Sequence, residues 1–204
     1  MQSIDPANLS DRDNYKLLIG SVIPRPIAFV TTLSSDGVVN AAPFSYFNIV
    51  SSNPPLLSIA VQRKNGVQKD TARNAIATGQ LVIHISDETY IAQINETAAN
   101  LPPDESEVTL AGLKLAASEK VAVPGIAEAR IRMECVLEQV IPLGGKDDGH
   151  PSTDLLIARV VHYHFDQAVY NNGYIDADAL KPVSRLAGNT YAKLGEQFEI
   201  VRPS

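Results

Sequence analysis

Four short stretches of this 204-residue chain carry side chains suited to a planar or anionic ligand. In the first, Asn40-Ala41-Ala42-Pro43-Phe44-Ser45, small residues let a flat ring lie close to the backbone. The amides there, with the Asn40 and Ser45 side chains, can address a polar ring edge, and Phe44 or Tyr46 adds aromatic surface. The second is Lys69-Asp70-Thr71, at the start of an expected helix. Free amides, a hydroxyl and an ammonium group suit a monophosphate, with Arg63 and Lys64 just upstream to add charge. Asp70 fits such a site only when turned away as the helix cap, so Lys69 and Thr71 are the expected contacts. Arg25 lies between Pro24 and Pro26, which stiffen its backbone and aim its side chain. Arg185, with Gly188 and Tyr191 nearby, offers a planar fork for phosphate or carbonyl oxygens. Each stretch also has a plainer reading: a strand end, a capped basic turn, or an interface salt bridge.

Other chemistries find less support. The loop Gly144-Gly145-Lys146-Asp147-Asp148-Gly149-His150 lacks the Gly-Lys-Ser/Thr order of a P-loop. Asp147, Asp148 and His150 read as a solvated turn. His162 and His164 alternate around Tyr163 and share one face of an expected strand, yet no third ligand stands nearby in sequence. No metal is expected. His84 sits in an apolar strand and reads as a packed histidine with a hydrogen-bond partner. Cys135 is the only cysteine, which excludes an intrachain disulfide or an internal dithiol and fits a reducing compartment.

The elements that must position these residues are mostly strands. Residues 15–20 form a short helical turn, and residues 27–33 and 38–42 form strands joined through Asp36-Gly37, a hairpin signal. Pro43 is expected to stop the second of these. Residues 56–61 and 81–86 read as strands, separated by a helix from Asp70 or Thr71 to about Ala77 that ends at Gly79. Residues 87–97 read as a helix with Ile91 and Ile94 on one side, and residues 101–117 as a surface excursion. Period-two alternation over 129–141 puts Ile131, Met133, Cys135 and Leu137 on one face, with Arg130, Arg132, Glu134 and Glu138 on the other. Residues 155–165 form the last strand. Without a regular βαβ alternation, an antiparallel barrel with a few flanking helices is the expected fold.

The composition bounds the partners. One domain of this length buries an adequate core. The formal charge of −6 argues against general attraction to nucleic acid or anionic membrane. No apolar run approaches the roughly 18 residues that span a bilayer, and the polar N-terminal segment lacks the order of a signal peptide. A cytoplasmic protein is expected.

Residues 22–61, 68–85 and 180–192 together resemble the flavin reductase-like family, which includes the flavoredoxins. The resemblance covers most of the chain. It implies a mainly β, antiparallel split β-barrel in a single domain over residues 1–204, FMN at a homodimer interface, and NADH or NADPH as electron donor. A protein electron acceptor is a possible partner, and a non-catalytic FMN carrier is the alternative. The residues expected to contact FMN are Arg25, Thr31, Asn40, Ala41, Ala42, Pro43, Phe44, Ser45, Lys69, Thr71, Arg185 and Tyr191. The cofactor carries the chemistry in this reading, so no catalytic side chain is assigned.

Overall fold

The computed structural model describes residues 1–99, 101–102, 104–145 and 149–203. Helix α1 (Asp11–Ser21) precedes strands β1 (Arg25–Pro26), β2 (Ala28–Leu33), β3 (Val39–Phe44), β4 (Phe47–Ser52) and β5 (Pro55–Gln62). Then come α2 (Asp70–Thr78), β6 (Gln80–Ile85), α3 (Ile91–Glu96), α4 (Glu107–Leu110), β7 (Leu115–Ala116) and β8 (Gly125–Ile126). The long strands β9 (Ile131–Leu143) and β10 (Thr153–Phe165) follow. The chain closes with β11 (Tyr170–Asn171), β12 (Tyr174–Ile175), α5 (Ala177–Leu180), β13 (Ser184–Arg185) and β14 (Tyr191–Ala192).

Seven strands form one antiparallel sheet in the order β3-β2-β6-β9-β10-β5-β4. Its two outermost strands, β3 and β4, are consecutive in the chain and joined only by Ser45-Tyr46. So short a link forces the sheet to curl until its edges approach. The Ala60 N–H donates to the Tyr46 carbonyl at 2.9 Å, tying this link to β5. The result is the expected split barrel, open between β3 and β4. Alternating side chains of β2, β5, β6, β9 and β10 fill it, including Val30, Ile59, Val61, Leu81, Ile83, Cys135 and Leu156. Ala72 and Ala75 bring α2 against this core. A second core, with Phe29, Tyr90, Ile94, Val108 and Ile126, lies on the other face of β2. A small sheet, β1-β13-β14, pairs Arg25 with Arg185 and brings the C-terminal segment beside α1 and the barrel opening.

Several expectations change. The first helix is longer than the expected turn because Ser10 caps it, accepting from the Asp13 N–H at 3.1 Å. Pro43 does not stop β3. It pairs with Phe29 on an edge strand, where its missing N–H costs no ladder bond. Strand β4 was not foreseen. The cap of α2 is Lys69 rather than Asp70 or Thr71, and it makes no side-chain cap bond. Gly79 ends that helix as expected, with φ 69°. The segment 101–117 is no mere surface excursion, since Val108, Ala111 and Leu113 are buried. Glu134 projects from the outer face of β9 as expected but is fully buried there. Lys146, Asp147 and Asp148 lie outside the described residues. Among the described residues, no helix is long and apolar enough to cross a membrane.

Candidate functional site

Two adjoining cavities open at the split of the barrel, of about 510 and 430 Å³. They share Pro43, Phe44, Lys69 and Ala98, so the end of β3 and the start of α2 form a common wall. Both fall within the roughly 300–1,000 Å³ typical of small-ligand sites.

The smaller cavity holds the groups expected for phosphate. Lys64 and Lys69 line it, and neither makes an ion pair among the described residues. Lys69 heads the 9-residue helix α2, whose first amides lack intrahelical partners. Asp70 is turned back to an ion pair with Arg73, which keeps its charge occupied within the helix. Arg63 does not join this group. It makes a two-pronged contact with the buried Asp154, at 2.9 Å from Nε and 2.6 Å from its terminal nitrogen.

Behind the wall lies a buried polar chain. Thr71 Oγ1 donates to Asn40 Oδ1 at 2.9 Å. The Asn40 side-chain amide donates to both Glu107 carboxylate oxygens, at 2.9 and 3.0 Å, and the Ala41 N–H donates to the same carboxylate at 3.0 Å. Burial raises the Glu107 pKa, against the opposing pull of the Ala41 N–H and Asn40. Asn40 and Thr71 thus touch the smaller cavity with their polar atoms already committed. Ala41 is buried in the second core, and neither cavity reaches it. Thr31 is also remote from both cavities, and its hydroxyl donates to the Pro124 carbonyl at 2.7 Å.

In the larger cavity Arg25 is nearly buried and braces the wall. It donates to the carbonyls of Ile19, Val22 and Leu186 at 2.7, 2.5 and 2.8 Å. Arg185 lies 4.5 Å from the centre of the Tyr191 ring and donates to the Tyr191 hydroxyl and the Gly188 carbonyl. Tyr191 in turn donates to Asn95 Oδ1 at 3.0 Å. Burial raises the Tyr46 pKa, with Tyr15 adding to it and Arg25 opposing it. The two cavities together bring Arg25, Asn40, Ala42, Pro43, Phe44, Ser45, Lys69, Thr71, Arg185 and Tyr191 to one cleft. The sequence reading missed Tyr15, Gln62, Asn95 and Asn189, also lining it, and Glu107. The spacing of Glu107, Val108 and Ala111 was the one signal that a helix carries that carboxylate inward.

Two further histidine readings are settled by geometry. His84 is fully buried, accepts from the Ile126 N–H at 2.9 Å and donates from Nδ1 to the Phe29 carbonyl at 2.8 Å. Burial holds its pKa down at about 4, against the pull of the Phe29 carbonyl. His162 and His164 share a face as expected, and the structure adds the third ligand type that the sequence hid. Buried Glu134, directly opposite His162, reaches His164 Nε2 at 2.5 Å.

A cleft of mixed polar and apolar walls with an ammonium-flanked helix start at one end, set in the seam of a split barrel, suits a cofactor-binding barrel. The chain belongs to the flavin reductase-like family: the profile of the flavin reductase like domain matches residues 19–180. It is 62% identical over 198 residues to the uncharacterised protein YwrF of Bacillus subtilis, covering 96% of each chain. Among solved structures, nitrilotriacetate monooxygenase component B from Bacillus cereus is 62% identical, with TM-score 0.96 over 98% of each chain. The 2-nitrobenzoate 2-nitroreductase NbaA of Pseudomonas fluorescens is 30% identical, with TM-score 0.89 over 99% of this chain and 96% of that one. The flavoredoxin of Desulfovibrio vulgaris, 21% identical with TM-score 0.74 over 88% and 91%, shares the fold. The cleft residues suit a flavin: small and aromatic side chains line the space, and Lys64 and Lys69, without an ion pair among the described residues, stand beside the start of α2.

Proposed function

We propose that this chain is an FMN-dependent reductase that takes electrons from NADH or NADPH and works as a homodimer. The observation that carries this reading is the pair of adjoining cavities, with Pro43 and Phe44 between them and Lys69 at the head of α2. A bound flavin supplies the redox chemistry, accepting hydride and releasing electrons to an acceptor. Pro43 and Ser45, which line the larger cavity on either side of core-packed Phe44, would lie beside a flavin ring, while Lys69, Lys64 and the free amides at the head of α2 would take its phosphate. Arg185, braced by Tyr191 and Gly188, supplies positive charge in the larger cavity. Arg25 keeps that wall rigid through its three carbonyl contacts.

The dimer reading draws on exposed apolar side chains near the seam, Ile49 and Val50 on edge strand β4 and Leu17 and Leu18 on α1. Two acceptors are supported by likeness. The relative called a monooxygenase component suggests delivery of reduced flavin to a partner protein. The relative called a nitroreductase suggests a small nitroaromatic.

The site is tested by titrating FMN and riboflavin into the Lys69→Ala protein. An exposed ammonium–phosphate contact of about 1.4 kcal/mol corresponds to roughly tenfold weaker FMN binding. Riboflavin, which lacks the phosphate, is expected to bind unchanged. Equal losses for the two flavins would remove Lys69 from the phosphate site.

A further inference from the structure

We infer that Glu134, His162 and His164 form a binding site for a divalent cation of the zinc class on the outer face of the barrel. Their candidate ligand atoms all lie within 4.8 Å of one another. A β-bulge between Val160 and His162 creates the arrangement. Val160 pairs with inward-facing Cys135, whereas His162 pairs with Glu134 on the opposite face of β9, so the extra residue turns both histidines outward. None of the three residues lines either cavity of the flavin cleft, so the inference stands independently of the proposed reductase activity.

The donor set is already prepared for a cation. Glu134 accepts from the N–H groups of Glu119, Lys120 and Val121 at 2.7, 2.6 and 3.1 Å, which fix the orientation of its carboxylate. Such outer hydrogen bonds are what hold a carboxylate ligand in place at a metal. His164 Nε2 lies 2.5 Å from Glu134 Oε1, and a cation that displaces the proton between them keeps both ligands. His162 packs edge-on against His164, with ring centres 4.8 Å apart, and no hydrogen bond reaches its ring nitrogens among the described residues. The plain ion pair between Glu134 and His164 accounts for two of the residues and gives His162 no task.

Two imidazoles and one carboxylate select a borderline cation such as Zn²⁺ over Mg²⁺ or Ca²⁺, and they leave positions open for water. The part-exposed histidines give the ion a way in. Arg132 pairs with His164 across the strands, and its charge keeps the affinity below that of a closed structural zinc site. Binding would pin the 119–121 segment, through Glu134, to β9 and β10.

The test is isothermal titration of Zn²⁺ into the flavin-loaded protein in a non-chelating buffer, repeated with His162→Ala and His150→Ala. Among the described residues no hydrogen bond holds His162, so its replacement is expected to leave the fold intact, which the unchanged urea midpoint of the variant checks. One equivalent of Zn²⁺ is expected to bind wild type and His150→Ala alike, with affinity at least about tenfold weaker in His162→Ala. Absence of saturable binding in wild type, or binding that His162→Ala leaves unchanged, overturns the assignment. Binding lost with His150→Ala instead would place the ion at the 144–150 loop and overturn it as well.

Discussion

Glu107→Ala removes the acceptor on which the wall of the smaller cavity depends. Two buried donors lose their partner, the Asn40 side-chain amide and the Ala41 N–H. A buried donor left unsatisfied costs about 1–3 kcal/mol, so two of them cost about 2–6 kcal/mol. Glu107 borders the cavity, so water can enter and replace part of the loss. The expected destabilisation is therefore near the lower end, about 3 kcal/mol, or a fall in Tm of roughly 6–12 °C for a chain of this size. Urea denaturation at neutral pH measures it through the midpoint, with the slope unchanged. FMN affinity should fall too, since Asn40 no longer holds Thr71 against the head of α2. Asn40→Ala in the same background should cost much less than it does alone, because the pair acts as a unit. A Glu107→Ala protein within about 0.5 kcal/mol of wild type, the range of an ordinary surface change, would show that the Asn40 and Ala41 donors do not depend on this carboxylate.

Two more outcomes follow from buried groups. Arg63→Ala leaves the buried Asp154 with Gln68, at 3.2 Å, as its remaining side-chain partner among the described residues, and should lower the urea midpoint while leaving FMN affinity unchanged. Weakened FMN binding in that variant would return Arg63 to the phosphate site. His84 has its pKa at about 4 in the fold, below its ordinary 6.5, so the unfolded chain takes up the proton first as pH falls. Its contribution is whole above pH 6.5 and is lost as pH drops toward 4, in total about 3 kcal/mol. His84→Gln should lack this component in urea midpoints measured across that window. A parallel pH dependence in variant and wild type would argue against it.

The long strands were legible because their signals are local. The period-two alternation of 129–141 and the Asp36-Gly37 turn need no tertiary information, and β9 and the β2–β3 hairpin follow them. Strand β4 was missed because its exposed Ile49 and Val50 break the in–out pattern a half-buried strand presents. The place of Lys69 at the head of α2 was legible, since a helix start is a local feature. The fates of Asn40, Thr31 and Arg63 were not, because their partners lie 67, 93 and 91 residues away. The same distance effect hid the third member of the histidine cluster. Glu134 looked like one of four charged residues on a solvated face until the 119–121 backbone closed over it.

In the proposed function this barrel holds FMN and passes electrons from a nicotinamide through it. Its most direct test is the visible absorbance spectrum of the purified protein with FMN supplied, followed by anaerobic addition of NADH or NADPH. A yellow protein that retains flavin and bleaches when either donor is added is the expected result. A yellow protein that neither donor bleaches would contradict the reductase and leave a carrier reduced by a partner. A colourless protein that takes up no FMN would contradict the cofactor assignment itself.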